Sequence, residues 1–589
     1  MSTVYPLILA RRAVIATEHY LSAAAGAQIF ARGGNAIDAA VAATFVEGVV
    51  NPHMHTIGGE APMLIYAASA RKVVSINGNM MAPARATIDQ YRALGIELIP
   101  GAGLLAAGVP AAFDALVTAL RTFGTMSLAD VLAPTHALAS DGFPMHVGLA
   151  GEEHPEGDGP VAGAGASLRM NAKRFLAKWP STARVYLPEG KVPRPGAVIK
   201  NPALANFFQR VLDSEAGAKN RGREAALDAA RDRFYRGDIA RDIAAWSDAN
   251  GGLLAASDLV RFTTRIEAPV SADYRGVTVF KCAPWSQGPV FLQQLKLLEG
   301  FDLAAMRHNS TDYIHTVVEA AKLAFADREA YYGDPEFTEV PMAALLSDRY
   351  TAIRRDLIDK KRASMDQRPG DPIAMRALRD NPPAGARPWG SGTIHVTAAD
   401  REGNMIAVTA SGGWIPSSPV IEALGFPLGT RMQTFYLDEQ HPNSLKPGKR
   451  PRTTLSPSLA MRGNQPYLAF GTPGGDQQDQ WTLQFFLNVV DFGMDLQTAI
   501  EAAKFSSAHF PSTFFPHDTH PGVLRIEERI DASVRDELAE RGHKIEVKPS
   551  WSEGHVLGLQ IDPTTGVLAG GADPRGQAQP VMPAQVIGW

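Results

Sequence analysis

Apolar and polar positions alternate most cleanly between Thr393 and Asp400. Ile394, Val396 and Ala398 fall on one side there, and His395 and Thr397 on the other. A period of two over such a run predicts a half-buried β-strand. Asp400-Arg401-Glu402-Gly403-Asn404 then reads as a turn and Met405–Ser411 as a second strand. The two make a hairpin with a threonine at the first residue of its leading strand. The approach is turn- and proline-rich, Asn381-Pro382-Pro383-Ala384-Gly385-Ala386-Arg387-Pro388-Trp389, and closes on Gly390-Ser391-Gly392.

Elsewhere the spacing alternates between helix and strand. His19 to Arg32 is an alanine-rich helical pattern stopped by Gly33-Gly34. Asn35 is placed to cap a second helix over Ala36–Val46, whose small residues suit close packing in a buried layer. Thr56 to Pro62 is a tight turn leading to strands at Met63–Tyr66 and Val73–Asn77, and Ser127 caps a helix through Ala139 that ends at Asp141-Gly142. Helical segments dominate from about 200 to 360, with a strand at Gly276–Phe280, and the charged run 359–372 is expected on the surface. Residues 448–459 read as a loop entering a strand. Tyr467–Phe470 is a strand that ends in Gly471-Thr472-Pro473-Gly474-Gly475-Asp476. A helix follows from Gln477 to Phe492, with Leu483, Phe486, Leu487 and Val490 on one face. No repeat with a period of about 20–50 residues is visible.

At 589 residues the chain is long enough for a large core. Hydrophobic residues at 45% and charged residues at 20% are ordinary for a globular protein. A net charge of −4 supplies no basic field for nucleic acid or an anionic membrane surface. The single cysteine, Cys282, excludes an intramolecular disulfide framework and cysteine-based zinc clusters. The N-terminus lacks a basic segment followed by a long apolar run, and no stretch of about 18 apolar residues occurs. No membrane span, no nucleic-acid partner and a cytoplasmic location are therefore expected.

Several stretches carry candidate chemistry. Strand, glycine turn and helix N-terminus follow in order at 467–478. That sequence makes a corner where backbone N–H groups meet an anion; its bland alternative is a plain strand-to-helix turn. The Gly/Glu/Asp-rich run 151–168 matches no EF-hand spacing and reads as a solvated loop. His517-Asp518-Thr519-His520, between prolines, lacks an evident third ligand, so no metal is expected, and no cofactor. His53 and His55 alternate in a turn, where structural histidines outnumber pocket-lining ones.

Taken in order, these landmarks resemble the γ-glutamyltransferase family of N-terminal-nucleophile hydrolases. The matching pieces are Gly33–Ala42, Ile57-Gly58-Gly59, Met81–Ala84, Phe234–Ala240, Ala326-Asp327-Arg328 and Gly333-Asp334-Pro335. They continue with Thr393-Ile394-His395, Asp400 with Gly403-Asn404, Lys449-Arg450-Pro451, Pro473-Gly474-Gly475 and Ala572–Arg575. The resemblance implies an α/β fold, a four-layer αββα sandwich with a helical extension. It also implies a precursor cut between Gly392 and Thr393. Chains 1–392 and 393–589 would stay associated as one αββα unit, with a dimer of that unit open. The nucleophile falls on Thr393. Once freed, its α-amine has an ordinary pKa of about 7.7–8.0 and can serve as general base beside the hydroxyl. Ser411 falls where the family usually has a second threonine bonded to the nucleophile oxygen. Gly474 and Gly475 match the oxyanion-hole glycines, where losing one donor costs about 2.7–4 kcal/mol of barrier. His395 is expected to support the strand, with no role as a base.

The departures concern the substrate. The family's carboxylate-binding arginine falls on Asn79, and an asparagine that contacts the glutamyl group falls on Gly413. A charged bidentate anchor is thus missing. Thr453 and Thr454 keep hydroxyls at the family's paired-serine position, and Asp438 matches the amine-binding aspartate. Arg452 is either a relocated carboxylate contact or a surface arginine. Three functions follow. The first is a self-cleaving amidohydrolase acting through an acyl-enzyme on a small amide, γ-glutamyl or not. The second is a true γ-glutamyl transpeptidase, and the third an uncleaved, non-enzymatic binding relative. Thr393, Ser411 and the glycine pair favour an enzyme, and the changes at Asn79 and Gly413 favour hydrolysis.

Overall fold

The computed structural model describes residues 3–151, 166–377, 392–575 and 583–589. The proline-rich approach Asn381–Trp389, with Gly390 and Ser391, lies outside them, as does most of the 151–168 run.

Two seven-stranded sheets, antiparallel between all neighbours, stack face to face. The first runs, edge to edge, through Gln585–Gly588, Ala13–Thr17, Thr393–Asp400, Met405–Ser411, Met63–Ala67, Lys72–Asn77 and Arg265–Glu267. The second runs through Ile8–Ala10, Leu568–Gly571, Leu557–Ile561, Gln465–Gly471, Ser458–Arg462, Val277–Lys281 and Val270–Tyr274. Helices Tyr20–Ala31 and Ala36–Val50 cover the outer face of the first sheet. Helices Pro289–Leu298, Gln478–Val490 and Leu496–Glu501 cover the second. This is the αββα sandwich, and helices between Leu168 and Arg261 extend its outer layer.

The hairpin lies at the centre of the first sheet. Ile394, Val396, Ala398, Ile406, Val408 and Ala410 point outward into the core under the Ala36–Val50 helix, beside Ile15, Val41 and Phe45. Burying an Ile or Val there contributes about 1.5–3 kcal/mol. The opposite face of the hairpin, with Ala399, Met405 and Ala407, packs against Leu459, Ala469 and Leu557 of the second sheet. All eight residues of Thr393–Asp400 are consequently buried. The half-buried strand read from alternation is corrected by that second sheet, which covers the polar face.

Local signals set the element ends. His19 caps the first helix, its Nδ1 accepting from the Leu21 N–H at 3.2 Å. Asn35 and Asp38 form a reciprocal capping box, and the helix runs on to Val50, past the expected Val46. Asp400 at the hairpin tip accepts from the Ala36 N–H at 2.9 Å, which fastens the hairpin to that helix's N-terminus. Ser127 caps Leu128–Ser140 in the same reciprocal way. The run 359–372 is exposed as expected at 359–362, 365 and 366, and turns inward after that. Its Gln367 is buried and donates to the His509 carbonyl at 2.6 Å, and Arg368 reaches the buried Glu319 at 3.1 Å. Cys282 is buried and unpaired, and burial pushes its thiol up to about 12. Among the described residues no helix is long and apolar enough to cross a membrane.

Candidate active site

Thr393 and Ser411 are cross-strand partners at the open end of the hairpin. Counting by two from His395 and Thr397 places both on the face between the sheets. The Thr393 Oγ1 donates to Ser411 Oγ at 3.2 Å. Ser411 Oγ donates to the Gly392 carbonyl at 2.6 Å, and the Trp414 indole N–H donates to the same oxygen at 2.5 Å. Arg431 Nη2 donates to Ser411 Oγ at 2.9 Å. Arg431 is itself held by a buried ion pair with Glu60, and its guanidinium carbon sits 5.2 Å from the ring centres of both Trp414 and Phe514.

The turn Thr56–Glu60 clamps the exit of the second strand. Glu60 and Ser411 exchange backbone hydrogen bonds at 2.8 and 2.9 Å, and Thr56 Oγ1 donates to the Gly413 carbonyl at 2.7 Å. A Cβ at Gly59 would come within 2.1 Å of the Ser411 carbonyl, so only glycine allows this approach. Gly413 has φ +61°, and a Cβ there would meet Thr56 Oγ1 at 2.4 Å. The left-handed turn at Gly412 and Gly413 folds the chain back and brings Trp414 over Gly392.

Electrostatics follows burial. Burial raises the Glu60 carboxyl above its usual range, although Arg431 opposes the shift. His55 is buried against the Ser411 carbonyl at 3.3 Å, and burial lowers it to about 4. His395 donates to or accepts from Thr409 Oγ1 at 3.0 Å. Burial, with Lys281 adding to it, lowers its pKa to about 3, so it is neutral at working pH.

The glycine corner lies across from the hairpin. Gly474 and Gly475 follow the Gln465–Gly471 strand and precede the Gln478–Val490 helix. Phe514 packs on Gly475 and reaches Arg431, which links the corner to the Ser411 cluster. Asp476 is tied to Arg328 and accepts from Thr513 N at 2.9 Å.

The remaining sequence candidates are spread more widely. Asn79 is buried, and its Nδ2 donates to the Pro451 carbonyl at 2.5 Å. Thr453 and Thr454 are buried; Thr453 bonds by its backbone to Trp285 and Gln287, and Thr454 Oγ1 has no hydrogen-bond partner among the described residues. Asp438 is exposed and accepts from Gln440 N in its own turn. Arg452 is buried, so it is no surface arginine, and its Nη2 bonds Glu329 at 2.8 Å. His517 stacks on Tyr436 at 4.2 Å. Among the described residues, one set of three metal-type ligands converges, His315, Glu319 and His543. Its two imidazoles already bond each other at 2.9 Å, and Lys322 and Arg368 hold Glu319, which makes it a packed polar cluster. Trp414, Arg431 and Glu60 were not singled out from sequence. The signals there were a tryptophan just beyond a double glycine and an acid directly after Ile57-Gly58-Gly59.

A family model described as Gamma-glutamyltranspeptidase matches residues 22–582. The Glutathione hydrolase-like YwrD proenzyme of Bacillus subtilis (strain 168) is 32% identical over 578 residues, spanning 98% of this chain and 99% of that protein. The solved structure of LmbA2991HD aligns over 100% of both chains with a TM-score of 0.91 and 42% identity. The crystal structure of cephalosporin acylase from Bacillus halodurans aligns over 100% of this chain and 98% of its own, with a TM-score of 0.82 and 29% identity.

Proposed function

Since this chain belongs to the gamma-glutamyltranspeptidase family of hydrolases and acyltransferases, we propose that it is a self-cleaving amidohydrolase whose nucleophile is Thr393. The observation that carries this reading is the cluster of Thr393 Oγ1, Ser411 Oγ and the Gly392 carbonyl in the buried layer between the sheets. The Thr393 hydroxyl attacks the carbonyl before it, and water opens the resulting ester. Chains 1–392 and 393–589 then remain interleaved. The word proenzyme in the Bacillus subtilis relative's name supports such processing.

In the mature enzyme the Thr393 α-amine takes the proton from its own hydroxyl, which attacks a substrate amide. Ser411 Oγ orients that hydroxyl, and the N–H groups at Gly474 and Gly475 face the developing oxyanion. Water then hydrolyses the acyl-enzyme. The acyl group is a small one. The neutral Asn79 amide, already bonded to Pro451, supports an acyl group that lacks the glutamyl α-carboxylate and amine. The exposed position of Asp438 supports the same choice.

The test is the intact mass of the protein beside Thr393→Ala under denaturing conditions. Two pieces split between Gly392 and Thr393 are expected from wild type, co-eluting under native conditions, and one 589-residue chain from the variant. Cleavage at that bond in the variant would sink the nucleophile assignment. Among chromogenic anilides, simple acyl anilides are expected to turn over faster than the γ-glutamyl one.

A further inference from the structure

The geometry points to Trp414 as a catalytic residue of self-cleavage, its indole N–H stabilising the oxygen of the Gly392 carbonyl while Thr393 attacks. The inference rests on the self-cleavage reading above. The Gly392 oxygen receives two donors, Ser411 Oγ at 2.6 Å and Trp414 Nε1 at 2.5 Å. Two converging donors on a carbonyl whose carbon is to become tetrahedral are the arrangement that lowers such a barrier. They belong to a different place from the Gly474-Gly475 corner, which lies on the other sheet's side of the site. Cleavage and turnover thus have separate oxyanion donors.

Hydrogen-bond directions around Ser411 are forced. Arg431 can only donate, and the Gly392 carbonyl can only accept. The single Ser411 proton therefore points at Gly392, and Thr393 must donate to Ser411. As Thr393 Oγ1 bonds to the Gly392 carbon, its proton passes to Ser411 Oγ and the Ser411 proton passes to the Gly392 oxygen. Negative charge builds on the oxygen ahead of that proton, and it is this charge that the indole N–H stabilises; the C=O double bond ends as a C–OH single bond. In the collapse the Gly392–Thr393 C–N bond breaks and the carbonyl re-forms as an ester. The hydroxyl proton goes to the leaving nitrogen. Water then adds to the ester, releasing the Gly392 carboxyl and the free Thr393 hydroxyl. Throughout, the indole N–H keeps its proton and supplies only the hydrogen bond, which stays in register because Trp414 is buried and packed on Arg431.

Trp414→Phe removes the donor and keeps a ring against Arg431. The measurement is the rate of appearance of the 1–392 and 393–589 masses in pulse-labelled, cell-free-made protein, with the thermal melt as a folding control. Loss of one oxyanion donor is expected to slow cleavage about 10²-fold. Trp414→His, which retains a ring N–H, is expected to fall between the two. Should Trp414→Phe fail the melt control, Trp414→Met, which also lacks a donor, takes its place, and cleavage about 10-fold or more below wild type supports the role. A folded Trp414→Phe that cleaves within about threefold of wild type overturns the role of Trp414 and leaves self-cleavage standing. A wild type that never splits, or a Thr393→Ala chain that does, sinks the self-cleavage reading itself.

Discussion

Ser411 is the side chain on which the site's geometry turns. Its oxygen accepts from Thr393 and Arg431 and donates to Gly392, so all of its hydrogen-bonding capacity is used. Ser411→Ala leaves the Thr393 hydroxyl unoriented and the Arg431 donor unpaired, and self-cleavage is expected to slow by about 10²–10³-fold. Ser411→Thr keeps the hydroxyl and is expected to stay within about tenfold of wild type. Following the cleaved masses over time separates the two, and equal slowing in both variants would deny the hydroxyl its role. The hairpin that Thr393 and Ser411 terminate is legible from local pattern, while their roles came only with the family resemblance. Sequence reading did not reach the Arg431–Glu60 pair, whose members stand 371 positions apart and meet only in the folded chain.

At the scale of elements, the two sheets constrain each other across their interface. His395 projects from the hairpin toward the Gln465–Gly471 strand. A Cβ at Gly471 would come within 2.2 Å of the imidazole Cε1. Gly471→Ala overpacks that layer and is expected to lower stability by about 1–3 kcal/mol. Adding His395→Ala is expected to recover most of the loss, because the clash is between those two groups. Chemical denaturation of the four chains in this double-mutant cycle gives the coupling, and additive losses would contradict the contact. The caps at Asn35 and Ser127 were legible in sequence, since a capping box joins residues three apart. The burial of His395 and Thr397 was not, because alternation reports which residues share a face and says nothing of a sheet that covers the other one.

Across the whole molecule, the segments before and after Gly392 are woven together. In the first sheet Thr393–Asp400 lies between Ala13–Thr17 and Met405–Ser411, and the second sheet likewise mixes strands from both segments. Buried ionisable groups make the stability of this assembly depend on pH. Glu47, buried in the Ala36–Val50 helix, holds the His19 N–H at 2.9 Å and Asn51 at 2.6 Å. Burial, reinforced by the nearby Glu18, raises its pKa to about 8. Its folded pKa lies above the ordinary value of about 4.3, so the folded chain keeps a proton that the unfolded chain has lost. That contribution is full below about pH 4 and fades as pH rises through about 8. Glu47→Gln fixes the neutral form. Its stability relative to wild type is expected to grow between pH 5 and pH 8 by on the order of 1 kcal/mol per pH unit. Thermal melts of the pair across that range test this, and a constant difference would contradict it.

The sequence by itself determined the parts whose cause is local. Period-two alternation set the hairpin, side-chain caps set the helix starts, and glycines marked the turn after Gln465–Gly471 and the clamp at Gly58-Gly59. The order of these pieces along the chain determined the family. Tertiary structure alone decided which groups surround the Gly392 carbonyl, because Trp414 reaches it through a left-handed turn and Arg431 is steered by a glutamate 371 positions earlier in the chain. It also decided that Arg452 is buried against Glu329 while Asp438 faces solvent. Hydrogen bonds and burial act at distances of a few ångströms in space, and separation along the chain does not reveal which residues those distances will join.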